Sequence, residues 1–125
     1  MNIYSIDEFL PLIEKAKLEI DKRKSFSGCQ ILVLQTSKGN LYHIFITEIC
    51  TMCAPDQDIE LIETLKRNDD SLVNKLICTW NGDSFVLPSY MFRKKLCEVN
   101  KGNKNTEMLL QGEVQIIKKT IAETF

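Results

Sequence analysis

The sequence is short of several things, and each shortage removes a class of protein. It has no excess of charge: Lys+Arg 16 stand against Asp+Glu 17, a formal net charge of −1, so no overall field draws the chain to nucleic acid or anionic lipid. It has no long hydrophobic run. Gln35 and His43 interrupt its most apolar region, far short of the roughly 20 residues that cross a bilayer. Its first residues, Met1 to Ser5 followed by Asp7 and Glu8, lack the basic flank and apolar stretch of a secretory signal. The expectation is a cytoplasmic protein without a membrane partner. Glycine is sparse, and Gly28, Gly39, Gly82, Gly102 and Gly112 stand apart from one another, so there is no glycine-rich loop to cradle a phosphate. His43 is the only histidine; with no serine or cysteine nucleophile motif beside it, it reads as a strand residue with a satisfied ring nitrogen.

Cysteine is present but unpatterned. Cys29, Cys50, Cys53, Cys78 and Cys97 are odd in number and irregular in spacing, which fits reduced thiols better than a disulfide framework. Cys50-Thr51-Met52-Cys53 has the spacing of a redox dithiol or of half a zinc knuckle, although a structural zinc site needs two further ligands. Arg93, Lys94, Lys95, Lys101, Lys104, Lys118 and Lys119 read as a solvated face, since acids are interspersed and exposed aromatics are few. A hydrophobic fraction of 44% with 26% charged residues over 125 residues predicts one globular domain, residues 1–125, with a real core.

Ser5-Ile6-Asp7-Glu8 has the form of a capping box, and Ile6, Phe9, Leu10, Ile13, Ala16 and Ile20 recur at helical spacing to about Lys22. Pro11 lies inside that pattern, so the helix is kinked early or starts late. Cys29–Thr36 and Leu41–Thr47 read as two strands joined through Ser37-Lys38-Gly39-Asn40. Their nearly continuous apolar runs predict a sheet covered by helices on both faces. A second helix follows Pro55-Asp56-Gln57-Asp58 and runs to about Arg67. A strand extends from Leu72 to Trp80, and Phe85-Val86-Leu87 resumes extended structure after the turn at Asn81-Gly82-Asp83. Ser89 is the natural N-cap of a third helix carrying Tyr90, Met91, Phe92, Leu96 and Cys97. Asn100 to Asn105 reads as a surface loop, Glu107–Gln111 and Val114–Ile117 as strands about Gly112, and Thr120–Phe125 as a short final helix. The order is α-β-β-α-β-α-β-β-α.

This order, with local motifs along most of the chain, resembles the small cytidine deaminases that act on free nucleosides. Ser37-Lys38-Gly39-Asn40-Leu41-Tyr42 is similar to the family's hairpin turn, and Thr51-Met52-Cys53-Ala54 to its approach to the first zinc-site helix. Pro88-Ser89 through Arg93 and Leu96 resembles its Pro-Cys-x-x-Cys-Arg-x-x-Leu motif. Thr120-Ile121-Ala122-Glu123-Thr124-Phe125 looks like a shortened family tail. The resemblance implies an α/β fold, a three-layer α-β-α sandwich with a mixed sheet of about five strands. It also implies dimers or tetramers of identical subunits meeting around their pockets, with Phe125 packing there, and a nucleoside-like small molecule as ligand.

The family's chemistry requires a zinc ion held by one His or Cys and the two Cys of the second motif, with a Glu to shuttle protons. Ser89 and Phe92 occupy the two cysteine positions. A neutral hydroxyl is a poor zinc donor and a benzyl ring is none. Cys53 matches the first ligand region, but Pro55 stands where the Glu belongs. In a shifted register Asp56 and Asp58 fall near the ligand and general-acid positions, and the interval from Asp56 to Ser89 then resembles that between the family's motifs. Of the Asn-x-Glu that grips the ribose, Ile46-Thr47-Glu48 keeps Glu48 alone. The resemblance therefore implies a cytidine deaminase-like protein without its zinc cofactor or zinc-dependent activity, acting by ligand binding or self-assembly. Two alternatives stand beside it: a deaminase-like hydrolase with a rearranged site built from Glu48, Cys53, Asp56 and Asp58, and a small dithiol or zinc protein built on Cys50 and Cys53.

Overall fold

The computed structural model describes residues 6–22, 29–47, 57–80 and 84–125. A 3-10 turn over Ile6–Phe9 leads into helix α1, Leu10–Lys22. Regular helix therefore starts later than the Ser5 capping box suggests, and Ser5 itself lies outside the described residues. Pro11 is the second residue of α1, where the N–H it lacks would have had no intrahelical acceptor. Leu12, Ile13 and Ala16 form the buried stripe of this helix, and Phe9 at the end of the 3-10 turn is buried with them.

Strands β1 (Cys29–Thr36) and β2 (Leu41–Thr47) pair antiparallel, with Val33 opposite His43. Gly39 turns the hairpin at a φ of +89°, a left-handed conformation that glycine adopts without a Cβ penalty. Helix α2 (Gln57–Arg67) leads to β3 (Val73–Thr79), which pairs antiparallel with the other edge of β1. Helix α3 (Tyr90–Val99) then crosses to β4 (Glu107–Gln111), parallel to β3, and β5 (Ile116–Thr120) returns antiparallel. The sheet order is β2-β1-β3-β4-β5. Only the β3–β4 pair is parallel, and a parallel pair needs a crossover such as α3.

The apolar run of β1 is explained by alternation between two filled faces. Ile31 and Val33 pack with Phe9, Leu12, Ile13, Ala16, Ile77 and Leu109 beneath α1. Leu32 and Leu34 point the other way, to Leu61, Ile62 and Leu65 of α2 and to Phe92 and Leu96 of α3. The three-layer α-β-α sandwich with a mixed five-stranded sheet is the observed architecture. No helix among the described residues is long and apolar enough to cross a membrane.

Phe85 resumes extended structure with one antiparallel bridge, to Thr79, and Val86 N–H donates to Cys78 O (2.8 Å). Three expectations are corrected. β5 begins at Ile116, not Val114: the turn closes with Gly112 N–H donating to Gln115 O (2.8 Å), and Val114 is 94% exposed. The final segment is a single 3-10 turn, Ala122–Thr124, with Glu123 Oε1 accepting from Thr120 N–H (2.9 Å). Asn100 to Asn105 is not merely a surface loop: it contains a 3-10 turn, Lys101–Asn105, whose Asn103 is fully buried. Asn103 Oδ1 accepts from Val73 N–H (2.8 Å), and its Nδ2 donates to Ser71 O (2.9 Å) and Leu96 O (2.8 Å). Thr106 Oγ1 adds a bond to Val73 O (2.7 Å). The backbone ladder between β3 and β4 comprises only Lys75 with Glu107 and Leu76 with Met108, so these side chains carry much of that junction.

A second buried polar group ties the hairpin to the turn after α2. Asp70 Oδ2 accepts from Asn40 Nδ2 (2.9 Å) and Tyr42 Oη (3.0 Å), and Asp69, at a φ of +51°, ends the helix. Burial alone would push the Asp70 carboxyl up, but the hydrogen bonds from Asn40, Thr36 and Tyr42 and the nearby Lys38 charge outweigh it and hold the group below its usual range. A carboxyl lowered on folding adds stability above its unfolded pKa, and that stability is lost as pH falls through the folded value. Asp70→Asn should therefore lower unfolding free energy by about 1–3 kcal/mol at neutral pH. Urea titrations should show the gap narrowing below about pH 4; a gap that stays constant with pH would contradict this account.

Candidate functional site at the start of helix α3

The second motif lies where the chain enters α3. Ser89 is the N-cap: its Oγ accepts the backbone N–H of Phe92 (3.2 Å), and its carbonyl accepts from Arg93 N–H (3.1 Å). One of the donors left open at the helix start is thus satisfied by the hydroxyl. The Phe92 ring is 1% exposed and packs with Leu32, Leu61, Leu65, Leu96 and Met108. Ser89 and Phe92 are brought together, three residues apart at the same helix end, as the motif predicts. Both are occupied in holding the fold.

Arg93 departs from the expected solvated face: it is 6% exposed. Its Nε donates to Pro88 O (2.9 Å), and its Nη1 donates to Thr124 O (3.1 Å) and Thr124 Oγ1 (2.8 Å). The rings of Tyr90 and Phe125 lie 5.9 and 5.4 Å from its Cζ and meet each other edge to face at 5.7 Å. The final residues are thereby drawn to the start of α3. The available signal was the motif position itself, directly after the Phe92 that faces the core. Leu87, Tyr90, Met91 and Phe125 are large apolar side chains left exposed around this end.

Glu48, Cys50, Cys53, Pro55 and Asp56 lie outside the described residues. Asp58 belongs to the first turn of α2, and its side chain also lies outside what is described. Of the cysteines, Cys78 is a free, buried thiol pushed up to about 12 by burial, and Cys97 is free, half-buried and raised by burial against the opposing charge of Lys104. His43 behaves as a strand residue: its Nε2 lies 3.5 Å from Glu19 Oε1, and burial holds the imidazole below its ordinary pKa although Glu19 opposes.

No family model and no curated protein matches the sequence, but the backbone has clear structural counterparts. Over 90% of this chain and 92% of the other, it superposes on a cytidine deaminase from Mycobacterium leprae with a TM-score of 0.61 at 17% identity. The cytidine deaminase of Burkholderia pseudomallei gives 0.62 at 15% identity, over 91% and 93% of the two chains. That of Mycobacterium tuberculosis gives 0.57 at 14% identity, over 92% of each. The chain has the cytidine deaminase fold.

In that fold the resemblance places two zinc-ligating thiolates at Ser89 and Phe92. These residues do not fit the metal. The serine oxygen faces a backbone N–H as a cap, and the phenylalanine offers no donor and lies in the core. Among the described residues no group of three His, Cys, Asp or Glu side chains is placed to hold an ion. What the α3 end of this deaminase fold does offer is a buried guanidinium, two aromatic rings and an apolar surround.

Truncation separates the roles of the two motif positions. Phe92→Ala should destabilise by about 3–5 kcal/mol, as a core deletion does, and Ser89→Ala by about 0.5–2 kcal/mol, as loss of a cap does. Denaturant unfolding measures both, and a Phe92→Ala protein as stable as the parent would place the ring outside the core.

Proposed function

We propose that this chain is a cytidine deaminase-like protein that does not carry out zinc-dependent deamination and acts by binding a nucleoside-like ligand or by assembling with copies of itself in the cytoplasm. The observation that carries this reading is the use of the two motif positions, with Ser89 Oγ capping α3 and Phe92 buried among leucines. A zinc site built in the family's manner needs thiolates there. Restoring them would remove a cap and open a cavity, so the change is built into packing as well as into donor chemistry.

The exposed apolar side chains at the same end, Leu87, Tyr90, Met91 and Phe125, support assembly. Grouped apolar surface on a soluble domain commonly marks a contact site. The solved structures of this fold named above are cytidine deaminases, so cytidine is the first ligand to test.

One purified sample decides the matter when its zinc content, its cytidine turnover and its cytidine binding are measured together. The expected result is no stoichiometric zinc and no turnover, whereas stoichiometric zinc accompanied by turnover would overturn the reading. Light scattering at micromolar concentration is expected to give a dimer or tetramer. A strict monomer would remove assembly and leave ligand binding alone.

A further inference from the structure

We infer that the last turn of the chain is a strap closed in cis by Arg93, and that Arg93 couples this strap to the Pro88–Ser89 entry of α3. The inference rests on reading that end as the functional one and deepens it into a regulation of the same site. The strap has one apolar anchor. Ile121 is fully buried, and its N–H donates to Thr106 O (3.0 Å). Beyond Ile121 little area is buried: Phe125 is 59% exposed, and its N–H reaches Ala122 O at a long 3.4 Å. What draws Thr124 and Phe125 onto α3 is chiefly the guanidinium, with two donations to Thr124 and the Phe125 ring over its face, joined by the edge-to-face contact of Phe125 with Tyr90.

The same group holds the other side. Nε and Nη1 belong to one rigid planar fork, and Nε donates to Pro88 O. A single orientation of the fork serves Pro88 and Thr124 together. Loss of either partner lets the plane turn and weakens the bond at the other end. The acceptors concerned are two carbonyls and a hydroxyl, weaker partners for a guanidinium than a carboxylate would be. The closed strap also covers Arg93, and opening it would bring a cation to the surface beside Ser89 and the already exposed Tyr90. Linkage makes this reciprocal: whatever displaces the Pro88 carbonyl loosens the tail, and whatever draws off the tail loosens the entry to α3.

Residue-resolved amide hydrogen exchange on the full chain tests the coupling. Thr124→Val removes a hydroxyl that accepts from Arg93 and donates to Ile121 O (2.6 Å), at a half-buried position remote in sequence from α3. It should speed exchange of the Thr124 amide and also that of Phe92 and Arg93, by at least about fivefold, with Leu32 and Val33 of β1 unchanged. Thr124→Ser keeps the hydroxyl and should restore the parent rates, and Arg93→Met should speed both segments together. Faster exchange confined to the tail in Thr124→Val would overturn the coupling, as would an equal rise throughout the protein including β1. Zinc-dependent turnover, which would sink the proposed function, leaves these rates as a separate result, and uncoupled exchange leaves the metal measurement untouched.

Discussion

A central strand that is apolar on both faces cannot be left half covered, and most of this structure follows from β1 meeting that requirement. Ile31 and Val33 demand one helical layer and Leu32 and Leu34 another. The hairpin to β2 and the antiparallel pairing with β3 place β1 inside the sheet. Helix α1 closes one side, and α2 with α3 closes the other. α3 also has to carry the chain across to a parallel β4, so its start lies at one end of the sheet with Phe92 and Leu96 directed inward. The position of the candidate site is thus a by-product of how the layers close.

Much of this was legible in order along the chain. The β1 and β2 boundaries, the Gly39 turn and the Ser89 cap each follow from local chemistry that the tertiary structure leaves in place. The misreadings have a common cause. Asn103 and Arg93 are polar residues that are buried because backbone groups or side chains some 30 residues away complete their hydrogen bonds, and such partners leave no periodic trace. Val114–Ile117 reads as a strand after Gly112, yet the tight closure from Gly112 to Gln115 leaves Val114 in solvent. The resemblance to deaminases was legible from scattered motifs and agrees with the backbone.

The start of α3 is held by a cap and a core ring, Ser89 and Phe92. Arg93, which follows the second of these positions, gathers Pro88, Thr124, Tyr90 and Phe125 about itself.

The short parallel ladder between β3 and β4 has a mechanical meaning. With two residue pairs joining the strands, the sheet is close to being two sheets laid edge to edge. The Asn103 amide and the Thr106 hydroxyl, both bonded to Val73, act as rivets across that seam. A shearing load along the strands is shared between two backbone pairs and these two side chains rather than borne by a long row of backbone bonds, so residues outside the strands help to hold the seam.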